Sequence, residues 1–531
     1  MNIQIEPTVI TATFPFDKAV IASVKSIGMR WNPVKKHWYM TNNVQNRGLL
    51  ERLGTPQPPQ VVTNYNDYIP SPVLMQHQKD GVEIAKRKNR WLFGWDTGVG
   101  KTLAAIEIYK MKKLKTLIVC PLSIIEHAWF EDLRKFAPEV KAVNLWMLWR
   151  GYSKNGGKST YKKAISSHNL AIINFEGLKS QRELIEAASF KMIIIDESSK
   201  IKSPKAQITK DMIKYCENME SVYLMSGTPA PNTPLEFFPQ IKIIDPTVFG
   251  KSFWGFRNKY FHEAGFKWIM HRDMKDEFEQ KLTSCMSVVN KADVLDLPDT
   301  TWNIRDVSLS PDELKAYSTM TKQLIAEIKG HQISASNAAV KIGKLRQVTS
   351  GFLLDEDSKV HKFGDSKIRA LQELLEEIGR HQVIIWSQFH EEARQIKKLL
   401  GDKAEVINGT IPQGEREISI SRFKDKKLQY LIAHPKSMGH GHTLTTCSYA
   451  VYFSMDYSYE SWKQSADRIH RFGQKNQCTY YSLIVPGTID QVIYRALQRK
   501  GDVQNEVLNY IKDYKVKGEK NNGEGVSSTD R

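Results

Sequence analysis

The sequence predicts an α/β protein with two parallel-sheet lobes, a helical insertion between them and a small α+β module in front. Three observations carry that prediction. Short apolar runs alternate with helical patterns over residues 72–245, the rhythm breaks over 246–365, and it returns over 366–505. Apolar runs too short for helices, spaced by amphipathic segments, are the pattern of parallel strands covered by helices on both faces.

The elements run in chain order. In residues 1–56, TVITATFPF alternates as a strand, DKAVIASVKSIG has helical spacing, and MRWNPVKKHWYM reads as two short strands around an Asn-Pro turn. Residues 57–71 are rich in proline, asparagine and valine without periodicity and read as a linker. The first lobe has the runs RWLFGW, KTLIVCP, NLAIINFE, KMIIIDE and SVYLMSGTP. The insertion is helical, aromatic and basic, as in FWGFRNKYF and ELKAYSTMTKQLIAEIK, and with Phe253, Trp254, Arg257 and Lys259 it is expected to pack on the first lobe. The second lobe has HQVIIWSQ, KAEVING, LQYLIAHP, SYAVYFSMD and CTYYSLIVPG. Residues 506–531 form a polar tail, read as partly disordered.

Composition narrows the function classes. The apolar fraction is 41% and the charged fraction 25%, which is ordinary for a globular chain. A net charge of +18 points to a polyanionic partner, and nucleic acid is the leading candidate. The five cysteines form no CxxC pair, so zinc ligation is not indicated and reduced structural thiols in a reducing compartment are expected. No secretory signal or membrane-length apolar run is evident, and a cytoplasmic location is expected, nucleoid-associated if the source is prokaryotic or viral.

The chemistry concentrates in three places. Gly98, Val99, Gly100, Lys101 and Thr102 follow a strand and open a helix, the context of a phosphate loop. Backbone N–H groups would cradle phosphate oxygens there, Lys101 would meet the β/γ-phosphates, and the Thr102 hydroxyl would ligate Mg²⁺. The strict pattern wants glycine at position 95, where this chain has Trp95. Asp196 and Glu197 close the run KMIIIDE, where one carboxylate can hold Mg²⁺ and its neighbour can activate water. Upstream, Gln78 could offer a donor and an acceptor to an adenine edge, although alone it reads as a surface residue. Arg468 and Arg471 lie three apart in QSADRIHRFGQ (464–474), a polar stretch that reads as a helix. Facing a γ-phosphate they would neutralise transition-state charge; otherwise they are a solvated basic face.

These motifs, in this order, resemble those of Swi/Snf-type ATPases, DNA translocases of helicase superfamily two, from about Leu74 to Arg499. LMQHQKDG resembles the family's Q motif, DTGVGKT motif I and TLIVCPLSIIEHAW motif Ia. DESSKIKS resembles motif II, LMSGTP motif III and VIIWSQF motif IV. HPKSMGHGHTL resembles motif V and QSADRIHRFGQK motif VI. The resemblance implies two RecA-like lobes, ATP and Mg²⁺ as cofactors, and DNA as partner, whether duplex, forked, branched or single-stranded. It implies adenine reading by Gln78, phosphate and Mg²⁺ binding by Lys101 and Thr102, Mg²⁺ on Asp196 and water activation by Glu197. Gln464, Arg468 and Arg471 would sense the γ-phosphate. Ser226, Gly227 and Thr228 would couple the nucleotide to DNA, and Gly439 and Gly441 are retained in motif V. Two departures stand out: Ser199 replaces a frequent histidine, and His442-Thr443 replace Leu-Asn. His434, His440 and His442 lack a completing carboxylate or thiol, so they are not read as a metal site.

Residues 1–56 resemble the HARP-type domain of fork-remodelling annealing helicases. Trp31, Lys35, Lys36 and Trp38, with Phe16 and Arg30, would stack on unpaired bases and contact phosphates; alternatively the two tryptophans are the module's core. The expected function is an ATP-driven motor on duplex or branched DNA, for remodelling, annealing, branch migration or protein displacement. Strand-separating helicases, the motor subunit of a defence or restriction complex, and a DNA clamp with a decayed ATPase are the alternatives.

Overall fold

The computed structural model describes residues 2–6, 8–14, 20–21, 24–25, 27–33, 35–42, 46, 65–152, 158–264, 267–330, 335–438 and 442–499. The chain divides into two compact units, Met1–Val294 and Leu295–Arg531. Much of the expected linker, the expected helix over 17–28, Phe16, Gly439, His440, Gly441 and the C-terminal tail lie wholly or largely outside the described residues.

The first unit opens with an antiparallel sheet of β1 (Asn2–Ile5), β2 (Val9–Thr13), β3 (Arg30–Asn32) and β4 (His37–Thr41), in the order β1-β2-β4-β3. Its inward residues Ile10, Ala12, Met29, Trp38 and Met40 form their own core. The predicted Asn-Pro turn joins β3 to β4, with Trp31 paired to Trp38. A contact ties this module to the rest of the first unit: the Lys251 ammonium donates to the Ile27 carbonyl at 2.9 Å. It lies over Gly28, whose φ of +88° favours glycine.

The main sheet of this unit is wholly parallel. Its strands are β5 (Arg90–Trp95), β6 (Thr116–Cys120), β7 (Ala142–Asn144), β8 (Leu170–Asn174), β9 (Met192–Asp196), β10 (Ser221–Met225) and β13 (Met286–Val289). The order is β13-β5-β10-β9-β6-β8-β7. Every residue of β6, β8, β9 and β10 is buried, which explains their unbroken apolar runs. Burying one such isoleucine is worth about 1.5–3 kcal/mol. A small hairpin, β11 (Phe261–Ala264) and β12 (Lys267–Met270), precedes β13.

The second unit holds a six-stranded parallel sheet in the order β14-β21-β20-β17-β19-β18. These are β14 (Thr300–Asp306), β17 (Val383–Trp386), β18 (Ala404–Ile407), β19 (Tyr430–Ala433), β20 (Tyr449–Tyr452) and β21 (Cys478–Ile484). A hairpin of β15 (Phe352–Leu354) and β16 (Val360–Lys362) lies between β14 and β17 in sequence. Two RecA-like parallel sheets are thus present, as the sequence predicts.

The stretch 246–365 differs from a purely helical insertion. It contains helices Phe253–Tyr260, Lys275–Thr283, Pro311–Gly330 and Ala335–Thr349. It also supplies β13 to the first sheet and β14 to the second, and the unit boundary falls between those strands. Its aromatic residues Phe249, Phe256, Tyr260, Phe261 and Phe278 join the first sheet's core with Phe253 packed against it, whereas Trp254 is 55% exposed. Tyr317, Ile342, Leu345 and Val348 of the two later helices belong to the second unit's core, so only the part of the stretch before β14 packs on the first sheet. Among the described residues no helix is long and apolar enough to cross a membrane.

Candidate nucleotide site

Strands β5, β10 and β9 are neighbours and run the same way, so the loops after them emerge side by side. That topology brings together segments far apart in sequence: residues 96–100 after β5, Ser226–Thr228 after β10, and Asp196–Glu197 at the end of β9.

The loop after β5 has Gly98 at φ +82° and Gly100 at φ +79°, a left-handed backbone that glycine adopts without strain. Lys101 and Thr102 begin the helix Lys101–Lys112. The Lys101 ammonium donates to the carbonyls of Trp95 and Asp96, both at 3.0 Å. Trp95, at the position where the strict pattern wants glycine, is the last residue of β5. It is buried against Phe93 and His77 and donates to the Ser287 hydroxyl at 3.1 Å. The turn is made by Gly98 and Gly100, after the strand has ended.

Gln78 is 2% exposed, so it is not a solvated surface residue. Its Oε1 accepts from the Met75 N–H at 2.9 Å, and its Nε2 donates to the carbonyls of Val99 and Gly100 at 3.1 and 3.2 Å. The His77 Nε2 lies 2.8 Å from the same Val99 carbonyl. A Cβ at Gly100 would come within 2.1 Å of the Gln78 amide. The amide expected to read adenine therefore braces the glycine loop after β5 in this structure.

At the end of β9, Asp196 and Glu197 are both buried. Glu197 has φ +56° and ψ +55°, a left-handed conformation that costs a side-chain-bearing residue roughly 1–3 kcal/mol and collects at functional sites. Asp196 Oδ1 accepts the Glu197 N–H at 3.0 Å, and Oδ2 accepts the Trp129 indole N–H at 3.1 Å. Burial, then the adjacent Glu197 charge, push the Asp196 carboxyl up to about 7; Lys101, the Glu197 N–H and the indole pull the other way. Two buried carboxylates are hard oxygen donors, and burial raises the Asp196 carboxyl even with Lys101 pulling it down. That donor set fits Mg²⁺.

The three loops are also cross-linked. Ser226 is fully buried, and its N–H donates to the Phe93 carbonyl at 3.1 Å. Its hydroxyl accepts from the Thr228 N–H at 3.2 Å. At Gly227 a Cβ would meet the Thr97 methyl at 2.8 Å. Gln240 is the bridge: its Oε1 accepts from the Ser198 hydroxyl at 2.7 Å, and its Nε2 donates to the carbonyls of Pro229 and Glu236 at 2.7 and 3.0 Å. Neither Gln240 nor Trp129 was singled out by spacing in the sequence.

In the second unit the helix expected to span Gln464 to Gln474 stops early. It covers Tyr459–Ala466, and Gln464 lies in its last turn. Arg468 and Arg471 fall on the irregular turn beyond it. The fully buried Ile469 draws that turn inward. Gln474 closes it, with its Nε2 donating to the carbonyls of Cys447 and Ile469 at 2.9 and 3.0 Å. Arg468 is 6% exposed; it donates to the His442 carbonyl at 3.3 Å, and its own carbonyl accepts from Leu444 N–H at 2.9 Å. Arg471 is only partly buried.

In the N-terminal sheet, Trp38 is 8% exposed and belongs to the module's core, whereas Trp31 is 47% exposed. Their ring centroids are 5.6 Å apart. Lys35 and Lys36 lie on the tight turn beside them, with Lys36 at φ +48°.

Fold and site together define an α/β protein with two parallel sheets, a glycine loop after β5 and an acidic pair at the end of β9, the two strands lying on either side of β10. Residues 77–351 match the SNF2-related domain and residues 366–473 the helicase conserved C-terminal domain, and the chain belongs to the SNF2-related family. It is 25% identical over 479 residues to the Bos taurus DNA annealing helicase and endonuclease ZRANB3, a match covering 84% of this chain and 42% of that protein. It is 26% identical over 540 residues to the Caenorhabditis elegans homolog of SWI/SNF-related matrix-associated actin-dependent regulator of chromatin subfamily A-like protein 1, covering 93% and 74%. The chain thus spans less than half the length of the bovine relative. The Sulfolobus solfataricus SWI2/SNF2 ATPase core solved in complex with dsDNA aligns over 84% of this chain and 97% of that one, at 21% identity and a TM-score of 0.39.

Proposed function

We propose that this chain is a DNA-stimulated ATPase that moves on duplex or branched DNA. The observation that carries the reading is the convergence of the phosphate loop, the Asp196–Glu197 pair and the Ser226–Thr228 loop on three adjacent strand ends of an SNF2-related domain. Backbone N–H groups after Gly98, with Lys101, would bind the phosphates. Thr102 and Asp196 would hold Mg²⁺, which when bound neutralises charge on the phosphate oxygens. Glu197, fixed by its strained backbone, would orient the attacking water and take its proton. Gln464, Arg468 and Arg471 would sense the γ-phosphate. Gln78 would border the base while bracing the loop. The link from Ser198 through Gln240 to Pro229 gives a physical route by which the state of the acidic pair reaches the loop assigned to DNA coupling. The relatives named for DNA annealing favour forked or branched DNA as substrate, and a DNA substrate with five buried thiols favours the cytoplasm.

Steady-state ATPase activity without nucleic acid and with single-stranded, duplex and forked DNA tests the reading. Stimulation by duplex or fork is expected. Stimulation by single strands alone would mark a strand-separating helicase, and none would remove DNA as the partner. Affinity for duplex should fall by ~10³–10⁵ between about 50 and about 200 mM salt if six to ten phosphates are contacted. A salt-independent affinity would sink the argument from the +18 charge.

The N-terminal sheet is proposed as a structure-selecting DNA contact, with Trp31, Lys35 and Lys36 doing the contacting and Trp38 supporting them from the core. Trp31→Ala should weaken binding to forked or single-stranded DNA by about 1–3 kcal/mol while leaving thermal stability unchanged. Trp38→Ala should instead destabilise the module, by about 3–5 kcal/mol. If fluorescence-polarisation binding is unaffected by Trp31→Ala, the module is not a base-stacking surface.

A further inference from the structure

Trp129 is a buried donor aimed at the most consequential carboxylate of the site. It is fully buried, and its indole N–H reaches Asp196 Oδ2 at 3.1 Å across 67 residues of sequence. The topology explains how: β6 lies beside β9 in the sheet, with Val119 in register with Ile195, so the segment after β6 emerges next to Asp196. That segment, Ile125–Phe130, is a π-helical turn. The extra residue of such a turn shifts where later side chains face by about a 100° step, and π turns of this kind are frequent at functional sites. An indole nitrogen only donates, so the sense of this bond is unambiguous.

A carboxylate has about four lone-pair positions. In Asp196 one is taken by the indole and one by the Glu197 N–H. Both donors together fix the rotation of the group, so the remaining lone pairs are held in one orientation. We propose that Trp129 is a positioning residue that locks the Asp196 carboxylate for a divalent cation accompanying the nucleotide. This rests on the reading of Asp196 as a Mg²⁺ holder. Partners of this kind, which orient a ligand without touching the metal, typically carry 10–100-fold in metal affinity.

The test is the affinity of the full chain for a fluorescent ADP analogue, measured in EDTA and again with Mg²⁺. Trp129→Phe keeps an aromatic ring and removes the N–H. It should leave the affinity in EDTA near wild type and shrink the Mg²⁺-dependent gain by roughly tenfold or more. Ile125→Val, which opens space on the same turn with the indole intact, should keep the wild-type gain. An undiminished gain in Trp129→Phe, an equal loss in EDTA and in Mg²⁺, or the same lost gain in Ile125→Val would overturn the proposal. No Mg²⁺-dependent gain in the wild type would instead remove the metal reading of Asp196, and the proposal with it. Should Trp129→Phe fail to fold, the wild-type indole N–H resonances answer. The one displaced in Asp196→Asn should shift when Mg²⁺ joins the ADP complex and not with ADP alone; no shift would overturn the proposal.

Discussion

Lys101→Ala is expected to lower ATP hydrolysis by ~10²–10³, the scale of losing one preorganised electrostatic donor, while most DNA binding survives. The ammonium is the cation that the structure places beside the acidic pair: it lies between the carbonyls of Trp95 and Asp96 and pulls down on the Asp196 carboxyl. Removing it takes charge away from the phosphate position and leaves two loop carbonyls without their donor. The stability cost of those two bonds should be about 1–3 kcal/mol in all, because the group is only partly buried and water can replace it. Lys101→Arg should not rescue turnover, since a planar guanidinium cannot take the place of a compact ammonium in so tight a loop. Steady-state ATPase assays and duplex binding on the same preparations check this. If hydrolysis and DNA binding fall together, the loop is a structural turn and the nucleotide reading fails.

The central strands were legible in the sequence because burial on both faces leaves an unbroken apolar run, as in MIIID of β9 and VIIW of β17. The edge strands β13 and β14 were not. Each pairs on one side only, and no residue of β14 is fully buried, so TTWNIRD shows no such run. Its one signal was Trp302, which stacks on Tyr480 with centroids 4.1 Å apart.

The site divides in the same way. Gly98 to Thr102 and Asp196–Glu197 could be read because phosphate loops and acidic strand ends carry their chemistry within a few consecutive residues. Trp129 and Gln240 could not. Each is a single residue outside any catalytic run, and only contacts across 67 and 42 positions show what it does. Gln78 was placed at the site by its distance before the loop, but spacing could not reveal that its amide is already engaged by Val99 and Gly100. The motif with Arg468 and Arg471 reads as helix because its residues tolerate one, and burial of Ile469 with the Gln474 closure overrides that propensity.

That turn decides the second large effect. Arg471→Ala is expected to cut turnover by ~10³ or more with ATP still bound, the scale of removing an arginine that meets transition-state charge. The two arginines of the motif should not behave alike. The Arg468 side chain is almost wholly inside the turn and donates to the His442 carbonyl, so Arg468→Ala should lower the melting temperature as well as activity. Losing the charged donor to the His442 carbonyl, a partly buried contact, costs at most about 1.5–3 kcal/mol. Arg471 is only partly buried, on the bend after the buried Ile469, and its truncation should leave the melting temperature within the spread of surface substitutions, about 0.5 kcal/mol. Single-turnover hydrolysis, equilibrium nucleotide binding and thermal unfolding on both variants separate the two roles. Near-wild-type hydrolysis in Arg471→Ala would reduce that residue to a solvated charge and leave Arg468 as the only arginine of the motif able to meet the γ-phosphate. Loss of nucleotide binding in step with turnover would mean that Arg471 serves the ground state, because only an interaction made in the transition state lowers the rate while sparing affinity.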